Sequence, residues 1–274
     1  MKQKKRLLTR SLLLVLSVLL LLGSAIPADA STAAPMQIYL YGERHGNERI
    51  LEKELELWRA YYDTDGMRHL FVELSYYTAE YLNLWMQSDS DDILEMIYKD
   101  LEGTAAQVPA TLAFYKQLKV DCPETIFHGT DVGHQYDVTG ERSLAYLQAN
   151  GMEDSEQYRL TEEAIEPGKY FSENGDDVYR ENKMTENFIR AFDKLDGERI
   201  MGIYGGAHVG LDALDYQTHS VPSMANQLQQ HYGDIIYAED LYWVTQDIEA
   251  LDQTIMGING KEYTALYFGK QDLT

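Results

Sequence analysis

Two segments of the sequence end in the same pattern, a glycine followed three residues later by a histidine. Gly42–His45 follows one apolar segment, and Gly205–His208 follows another. A glycine lets the chain turn sharply and lets backbone amides approach a ligand. An imidazole titrates near neutral pH and serves as a general base or as a metal ligand. Two such motifs at matching strand ends favour a shared site for His45 and His208.

Carboxylates accompany both histidine motifs. Glu43 lies two residues before His45, Glu73 closes a further apolar segment, and Asp131 follows a third. A carboxylate beside a histidine raises the basicity of the imidazole, orients its tautomer or binds a cation itself. Such a set suits the activation of water. We therefore expect catalytic roles for Glu43, His45, Glu73 and His208, with Asp131 as a further carboxylate of the site.

Apolar segments alternate along the chain with segments of helical periodicity. The predicted strands are Met36–Tyr41, His69–Leu74, Thr125–His128 and Arg199–Tyr204, with further strands near Ile235–Val244 and Tyr263–Phe268. Asn47 is expected to cap a helix through about Tyr62. Two acidic helices are expected between Thr139 and Glu166, and Pro167-Gly168 is expected to end them.

This alternation predicts an α/β fold, with a mixed, largely parallel central sheet flanked by helices. No linker rich in proline, glycine or serine divides the chain, so residues 31–274 are predicted to form one catalytic-type domain. Ligands of such sheets bind beyond the carboxyl ends of the strands. Gly205 and Gly206 therefore offer backbone amides to a substrate. Tyr76, close behind Glu73, either packs in the core or lines the cleft.

The first 30 residues have the three parts of an export signal. A basic segment ends at Arg10, Leu12–Leu22 is an apolar run of 11 residues, and Ala28–Ala30 offers a cleavage site before Ser31. The apolar run is shorter than the roughly 20 residues of a spanning helix. We expect a secreted or extracytoplasmic protein, with no stable membrane span once the signal is cleaved. The alternative is an uncleaved N-terminal membrane anchor.

Composition excludes several function classes. The 274 residues include 45 acidic and 23 basic side chains, for a formal net charge of −22. Such a surface repels phosphate backbones, so we expect no nucleic-acid partner. The one cysteine, Cys122, cannot form an internal disulfide or a thiolate metal cluster. No Gly-x-Ser-x-Gly motif of a serine hydrolase occurs.

Taken in order, these motifs resemble a superfamily that groups the erythromycin esterases, the ChaN-like haem-uptake proteins and the TraB/Tiki proteins. The resemblance rests on Gly42–Gly46, on Phe71–Glu73 and on Tyr204–His208. Weaker support comes from Arg180–Met184 and from Ser220–Met224. It implies an α/β fold with the site at the strand ends, and it adds Arg180 to the expected substrate-binding residues.

The branches of this superfamily imply different chemistry. In the esterase-like branch His45 would be the general base, supported by Glu43 or Glu73. In the Tiki-like branch His45 and His208 would hold a divalent metal (Mn, Co or Zn) together with Glu73 or Glu43. The ChaN-like branch binds haem without catalysis, in some cases between two subunits.

The sequence thus predicts an exported hydrolase that cleaves an ester or peptide bond in a small-molecule or peptide substrate. Water would be activated by the histidine and glutamate side chains, with or without a metal. The alternative is a protein that binds haem or another iron ligand. Arg44 departs from the resemblance, because many relatives carry a small or polar residue there. Its charge would either stabilise an oxyanion or lower the pKa of His45.

Overall fold

The computed structural model of the chain describes residues 36–246 in full and the backbone of residues 255–258 and 261–264. The predicted signal peptide, residues 1–30, lies outside the described residues. None of the described helices combines the length and the apolar character that crossing a bilayer requires.

Five parallel strands form the central sheet. They are β1 (Ile38–Glu43), β2 (His69–Ser75), β3 (Ile126–Asp131), β4 (Ile200–Gly205) and β5 (Ile236–Asp240). Their order across the sheet is β3-β2-β4-β1-β5, and every neighbouring pair is parallel. All five carboxyl ends therefore lie at one edge, which brings the predicted polar strand ends together. A separate antiparallel pair consists of β6 (Ile255–Ile258) and β7 (Lys261–Thr264).

Eight α-helices occur within the described residues. They are α1 (Glu48–Thr64), α2 (Tyr76–Met86), α3 (Asp92–Asp100), α4 (Pro109–Asp121), α5 (Glu141–Ala149), α6 (Glu156–Asn174), α7 (Asp177–Phe192) and α8 (Met224–Tyr232). As predicted, Asn47 caps α1, because its side chain accepts a hydrogen bond from the amide of Ile50.

The sheet separates two apolar cores, because successive side chains of a strand point to opposite faces. In β2, Leu70 and Val72 lie in the first core and Phe71 lies in the second. In β4, Met201 belongs to the first core and Ile200 to the second. Helices α1 to α4 contribute to the first core, and α7 and α8 contribute to the second. Burying one such side chain contributes about 1.5–3 kcal/mol, so both faces anchor the sheet.

The prediction that Pro167-Gly168 ends an acidic helix is wrong, because α6 continues through both residues to Asn174. Pro167 lacks an N–H and so removes one hydrogen bond from the helix. The loop after β3 packs at this point, and the Gly133 amide donates to the carbonyl of Ala164 at 3.0 Å. Gly168 permits this approach, since a Cβ atom there would lie 2.0 Å from the carbonyl oxygen of Gly133. Tertiary contact thus stabilises a helix that the local sequence disfavours.

The strand predicted near Ile235–Val244 is shorter than expected. β5 ends at Asp240, and Leu241–Thr245 forms a 3₁₀ helix. The Asp240 side chain accepts a hydrogen bond from the amide of Tyr242 at 2.9 Å, which starts the turn away from the sheet.

Candidate active site

A cavity of about 350 Å³ opens at the carboxyl edge of the sheet. Of the predicted site residues, Glu43, His45, Glu73, Asp131 and Arg180 line it. These five side chains come from the ends of three strands, from the loop after β1 and from the first turn of α7. The topology therefore collects residues that are up to 137 positions apart, counted from Glu43 to Arg180 (180 − 43), around one opening.

His45 and Glu43 form a hydrogen-bonded pair at the rim of this cavity. The turn after β1 is tight, since Gly46 adopts a φ of 73° that disfavours other residues. His45 Nδ1–H donates to Glu43 Oε1 at 2.8 Å, which leaves Nε2 as the free ring nitrogen. That nitrogen lies 3.9 Å from Glu73 Oε2, and the His45 side chain is 40% exposed. The hydrogen bond with Glu43 outweighs partial burial and raises the pKa of His45 to about 9.

Glu73 is the carboxylate that joins the segments of the site. Pairing between β2 and β3 is irregular between Val72 and Ser75, so the strand bulges where Glu73 leaves it. Its Oε2 accepts a hydrogen bond from the amide of Gly205 at 2.5 Å, and its Oε1 accepts one from Arg180 Nη2 at 2.5 Å. Burial alone would raise the pKa of Glu73, but the nearby imidazole and guanidinium groups bring it well below its ordinary value. Glu73 is thus held as an anion.

Arg180 bridges two buried carboxylates. Its Nε and Nη2 donate to the two oxygens of Asp131 at 3.0 and 2.6 Å, and Nη2 also bonds Glu73. His134 Nε2 lies 3.0 Å from Asp131 Oδ2. Burial would raise the pKa of Asp131, but Arg180 and His134 lower it to about 2. Removing one member of such a buried ion cluster typically costs about 3–5 kcal/mol, because the remaining charge is left unpaired.

His208 contacts Glu73 on the side away from the cavity and does not line the cavity. Its Nε2 lies 3.4 Å from Glu73 Oε1 and 3.4 Å from Arg180 Nη1. Its Nδ1–H donates to Glu181 Oε2 at 2.6 Å. Burial would lower the pKa of His208, but its bonds with Glu181 and Glu73 raise it to about 10. The two predicted histidines therefore contact the same carboxylate, and only His45 faces the opening.

Glu181 is a site residue that is not among those expected from the sequence. Besides His208, it accepts a hydrogen bond from the amide of Met224, the first residue of α8, at 2.5 Å. The positive end of the helix dipole lies there and favours an anion. Its position in the sequence was an indication, since Glu181 directly follows Arg180 in a segment that carries the resemblance.

Three predicted substrate-binding residues lie away from the cavity. The Arg44 guanidinium packs over the ring of Tyr242, 4.0 Å from its centroid, and is exposed. Tyr76 lines separate depressions beside Glu80. Gly206 lies against Asp240, where an added Cβ would come within 3.3 Å of the carboxylate. Gly205 contributes through its amide, which orients Glu73.

The residues of the site do not fit the metal set that the Tiki-like resemblance implies. His45 and His208 both approach Glu73, but the Arg180 guanidinium already lies against Glu73 and His208. Among the described residues, no three histidine, cysteine, aspartate or glutamate side chains are placed to hold one ion.

Comparison with known proteins gives a likeness of fold. No protein-family profile matches the chain, and no curated protein matches it in sequence. A variant of the erythromycin esterase EreC in its open conformation matches with a TM-score of 0.56 at 13% identity, over 75% of this chain and 69% of that one. A Bacillus cereus protein gives 0.52 at 11% identity, and a succinoglycan biosynthesis protein gives 0.53 at 13%. Both matches cover 75% of this chain and 65% of the other.

The chain thus spans about two thirds of the length of each of these structures. The likeness confirms the α/β fold that the resemblance to erythromycin esterases implies. Because the identities are low, it carries no statement about substrate or activity.

Proposed function

We propose that the chain is a hydrolase that cleaves an ester or peptide bond with water activated by His45. The observation that carries this proposal is the arrangement of His45 at the cavity rim. Its Nδ1 is bonded to Glu43 and its Nε2 is directed toward Glu73. A carboxylate that fixes one ring nitrogen leaves the other as the proton acceptor. The likeness of fold to an erythromycin esterase supports the same reaction class.

Water is held by two acceptors in this mechanism. One O–H donates to the neutral His45 Nε2 and the other donates to Glu73 Oε2, so a lone pair of the oxygen faces the carbonyl carbon of the substrate. Glu73 serves as an acceptor because Arg180 and Gly205 keep it ionised. His45 takes the proton as water attacks, and it returns the proton to the leaving alcohol or amine when the tetrahedral intermediate breaks down.

Arg180 supplies positive charge where negative charge develops. It lines the cavity, and its two carboxylate partners fix the guanidinium before the substrate arrives. A fixed charge in a partly water-excluded site stabilises an oxyanion without reorganising during the reaction. Glu181 and His208 position this group indirectly, because His208 contacts both Arg180 and Glu73.

Replacing the general base tests the proposal. Purified His45→Gln is compared with the wild type on a panel of 4-nitrophenyl esters and chromogenic peptides. We expect kcat/KM to fall by about 10² to 10⁴ on the substrates that the wild type cleaves. His231→Gln is the matched control, since His231 is exposed in the last turn of α8, and it should retain full activity.

Two results would contradict the proposal. One is a wild type that cleaves nothing on the panel. The other is full activity in His45→Gln with circular dichroism and unfolding midpoint unchanged.

A further inference from the structure

A carboxyl group without a hydrogen-bond partner lies in the wall of the same cavity. Glu54 of α1 is fully buried and lines the cavity, and neither of its carboxyl oxygens has a partner among the described residues. The hydroxyl of Thr111, on α4, is also buried, lines the cavity and has no partner there. Buried polar groups are normally satisfied. Two such groups from different helices line one cavity, so a group bound there would find both available as hydrogen-bond partners.

The charge balance of the cavity indicates the sign of that ligand group. Glu43 is paired with His45, and both Glu73 and Asp131 are paired with Arg180. Glu54 is the remaining carboxyl group of the lining, and the described residues give it no cation. Burial, together with the charge of Glu43, raises the pKa of Glu54 well above its ordinary value. A positively charged group would reverse this effect and let Glu54 ionise.

The rest of this wall suits an organic cation better than a small inorganic ion. Phe114 and Tyr115 of α4 line the cavity, together with Leu51 and Val72. Aromatic faces attract ammonium groups, and aliphatic walls take the carbon atoms attached to them. Small inorganic ions need several oxygen ligands instead, and no suitable set of three acidic or histidine side chains occurs among the described residues.

We propose that this wall is a subsite for a protonated amine of the substrate, in which Glu54 forms the ion pair and the Thr111 hydroxyl accepts a further N–H bond. The inference rests on the proposed function only in naming the substrate, an ester or amide that carries an amine. When the cation binds, the Glu54 carboxyl group releases one proton to the solvent and becomes the counter-ion.

Calorimetric titration with n-hexylammonium chloride tests the subsite without any turnover. We expect saturable binding to the wild type and binding weaker by about tenfold or more to Glu54→Gln, because an ion pair is replaced by a neutral contact. The neutral analogue 1-hexanol should bind both proteins alike and more weakly than the ammonium ion binds the wild type. Glu52→Gln is the matched control, since Glu52 is exposed on the same helix.

Titrations in two buffers with different ionisation enthalpies count the released proton. The wild type should release up to one proton per n-hexylammonium bound, and Glu54→Gln should release none. Equal affinity of the wild type and Glu54→Gln for n-hexylammonium would overturn the inference. So would absence of binding to the wild type, or 1-hexanol binding as tightly as the ammonium ion.

His45→Gln separates this inference from the proposed function. It should bind n-hexylammonium at least as tightly as the wild type, because His45 is not part of the subsite and the change leaves the Glu43 carboxylate of the same cavity without its partner. If the wild type hydrolyses no substrate but still binds n-hexylammonium, the hydrolase is refuted and the subsite stands. If hydrolysis occurs, the kcat/KM ratio of 4-nitrophenyl 6-aminohexanoate to 4-nitrophenyl heptanoate should fall about tenfold or more in Glu54→Gln. An unchanged ratio would overturn the subsite and leave the hydrolase.

Discussion

Glu43 raises the pKa of His45, and in the proposed mechanism this contact governs the pH range in which His45 can activate water. The ring is bonded to Glu43 at 2.8 Å, and its pKa is raised from 6.5 to about 9. The protonated ring is favoured in the folded chain, so the pair stabilises the fold below pH 6.5. That contribution is lost as the pH rises toward about 9. The proposed catalysis needs the neutral ring, so its rate should rise over the same pH range in which this contribution to stability is lost.

The first prediction concerns the pH dependence of hydrolysis. In the wild type, kcat/KM should rise with pH and level off near pH 9, where His45 loses its proton. In Glu43→Gln the charge that favours imidazolium is absent, so the inflection should move toward 6.5. The measurement is a pH–rate profile of both proteins on the best ester found. Glu48→Gln, an exposed change at the start of α1, should leave the profile unchanged. An inflection that stays in place in Glu43→Gln would refute the role of Glu43.

Residues of the site differ in how well their sequence context predicts them. His45 and Glu73 were predictable because each stands at the polar end of an apolar strand. Glu181 and Glu54 lie within helices, where a glutamate is usually solvent-exposed. Glu54 did carry a signal, since it lies four residues from both Ile50 and Trp58 and thus on the buried face of α1. Whether the Glu54 carboxyl group is fully buried and lacks a hydrogen-bond partner depends on tertiary packing, so the sequence alone could not establish it.

At the scale of elements, the strands and most helices follow from local pattern, and the continuation of α6 through Pro167 has a tertiary cause. Asn47 begins α1 where the capping pattern predicts it. Helix α6 continues past Pro167 where it packs against the loop after β3, whose Gly133 amide donates to the Ala164 carbonyl. Local sequence patterns assign proline and glycine to a helix end, and they cannot predict a packing partner such as the Gly133 loop, about 30 residues away. The early end of β5 has a local cause instead, because the Asp240 side chain accepts a hydrogen bond from the Tyr242 amide two residues on.

The second prediction tests this contact between α6 and the loop after β3. Gly168→Ala should lower the free energy of unfolding by about 1–3 kcal/mol, because its Cβ would overlap the Gly133 carbonyl. Urea denaturation followed by circular dichroism gives the change. Lys169→Ala is the control, since Lys169 is exposed at the next position of the helix. Because Gly133 adjoins His134 at the cavity, we also expect weaker catalysis in Gly168→Ala. An unfolding midpoint equal to that of the control would refute the proposed packing constraint.

At the scale of the whole molecule, sheet order decides which side chains meet. β4 lies between β2 and β1, although it follows both by more than a hundred residues in the sequence. This order brings Gly205 against both residues, since its amide bonds Glu73 and a Cβ atom at this position would lie 3.4 Å from His45 Nε2. Strand patterns predict that these elements exist, whereas their order depends on how the helices cover the two faces. The sequence therefore predicted the edge of the sheet at which the site lies but not the pairing of Glu73 with Arg180.

The third prediction concerns export, which we propose from the N-terminal sequence. The full chain, expressed in a secreting bacterium, should appear outside the cytoplasm with Ser31 as its first residue, as measured by intact-mass spectrometry and N-terminal sequencing. Ala30→Leu should impair cleavage and retain the chain in the membrane fraction, because the cleavage site needs small residues. Ala33→Leu, beyond the predicted site, is the control. A cytoplasmic protein that keeps residues 1–30 would contradict the proposal.

The hydrogen bond between Glu73 and Gly205 spans 132 positions of the chain. Closing so long a loop costs conformational entropy, and this cost is offset only when the strands have assembled into the sheet. A polypeptide that is still passing through a translocation channel would contain His45 and Glu73 but would lack β4, the strand that lies between β1 and β2 and positions the two side chains. If the chain is secreted unfolded, the proposed hydrolysis would begin only outside the cell that makes it, after β4 has joined the sheet.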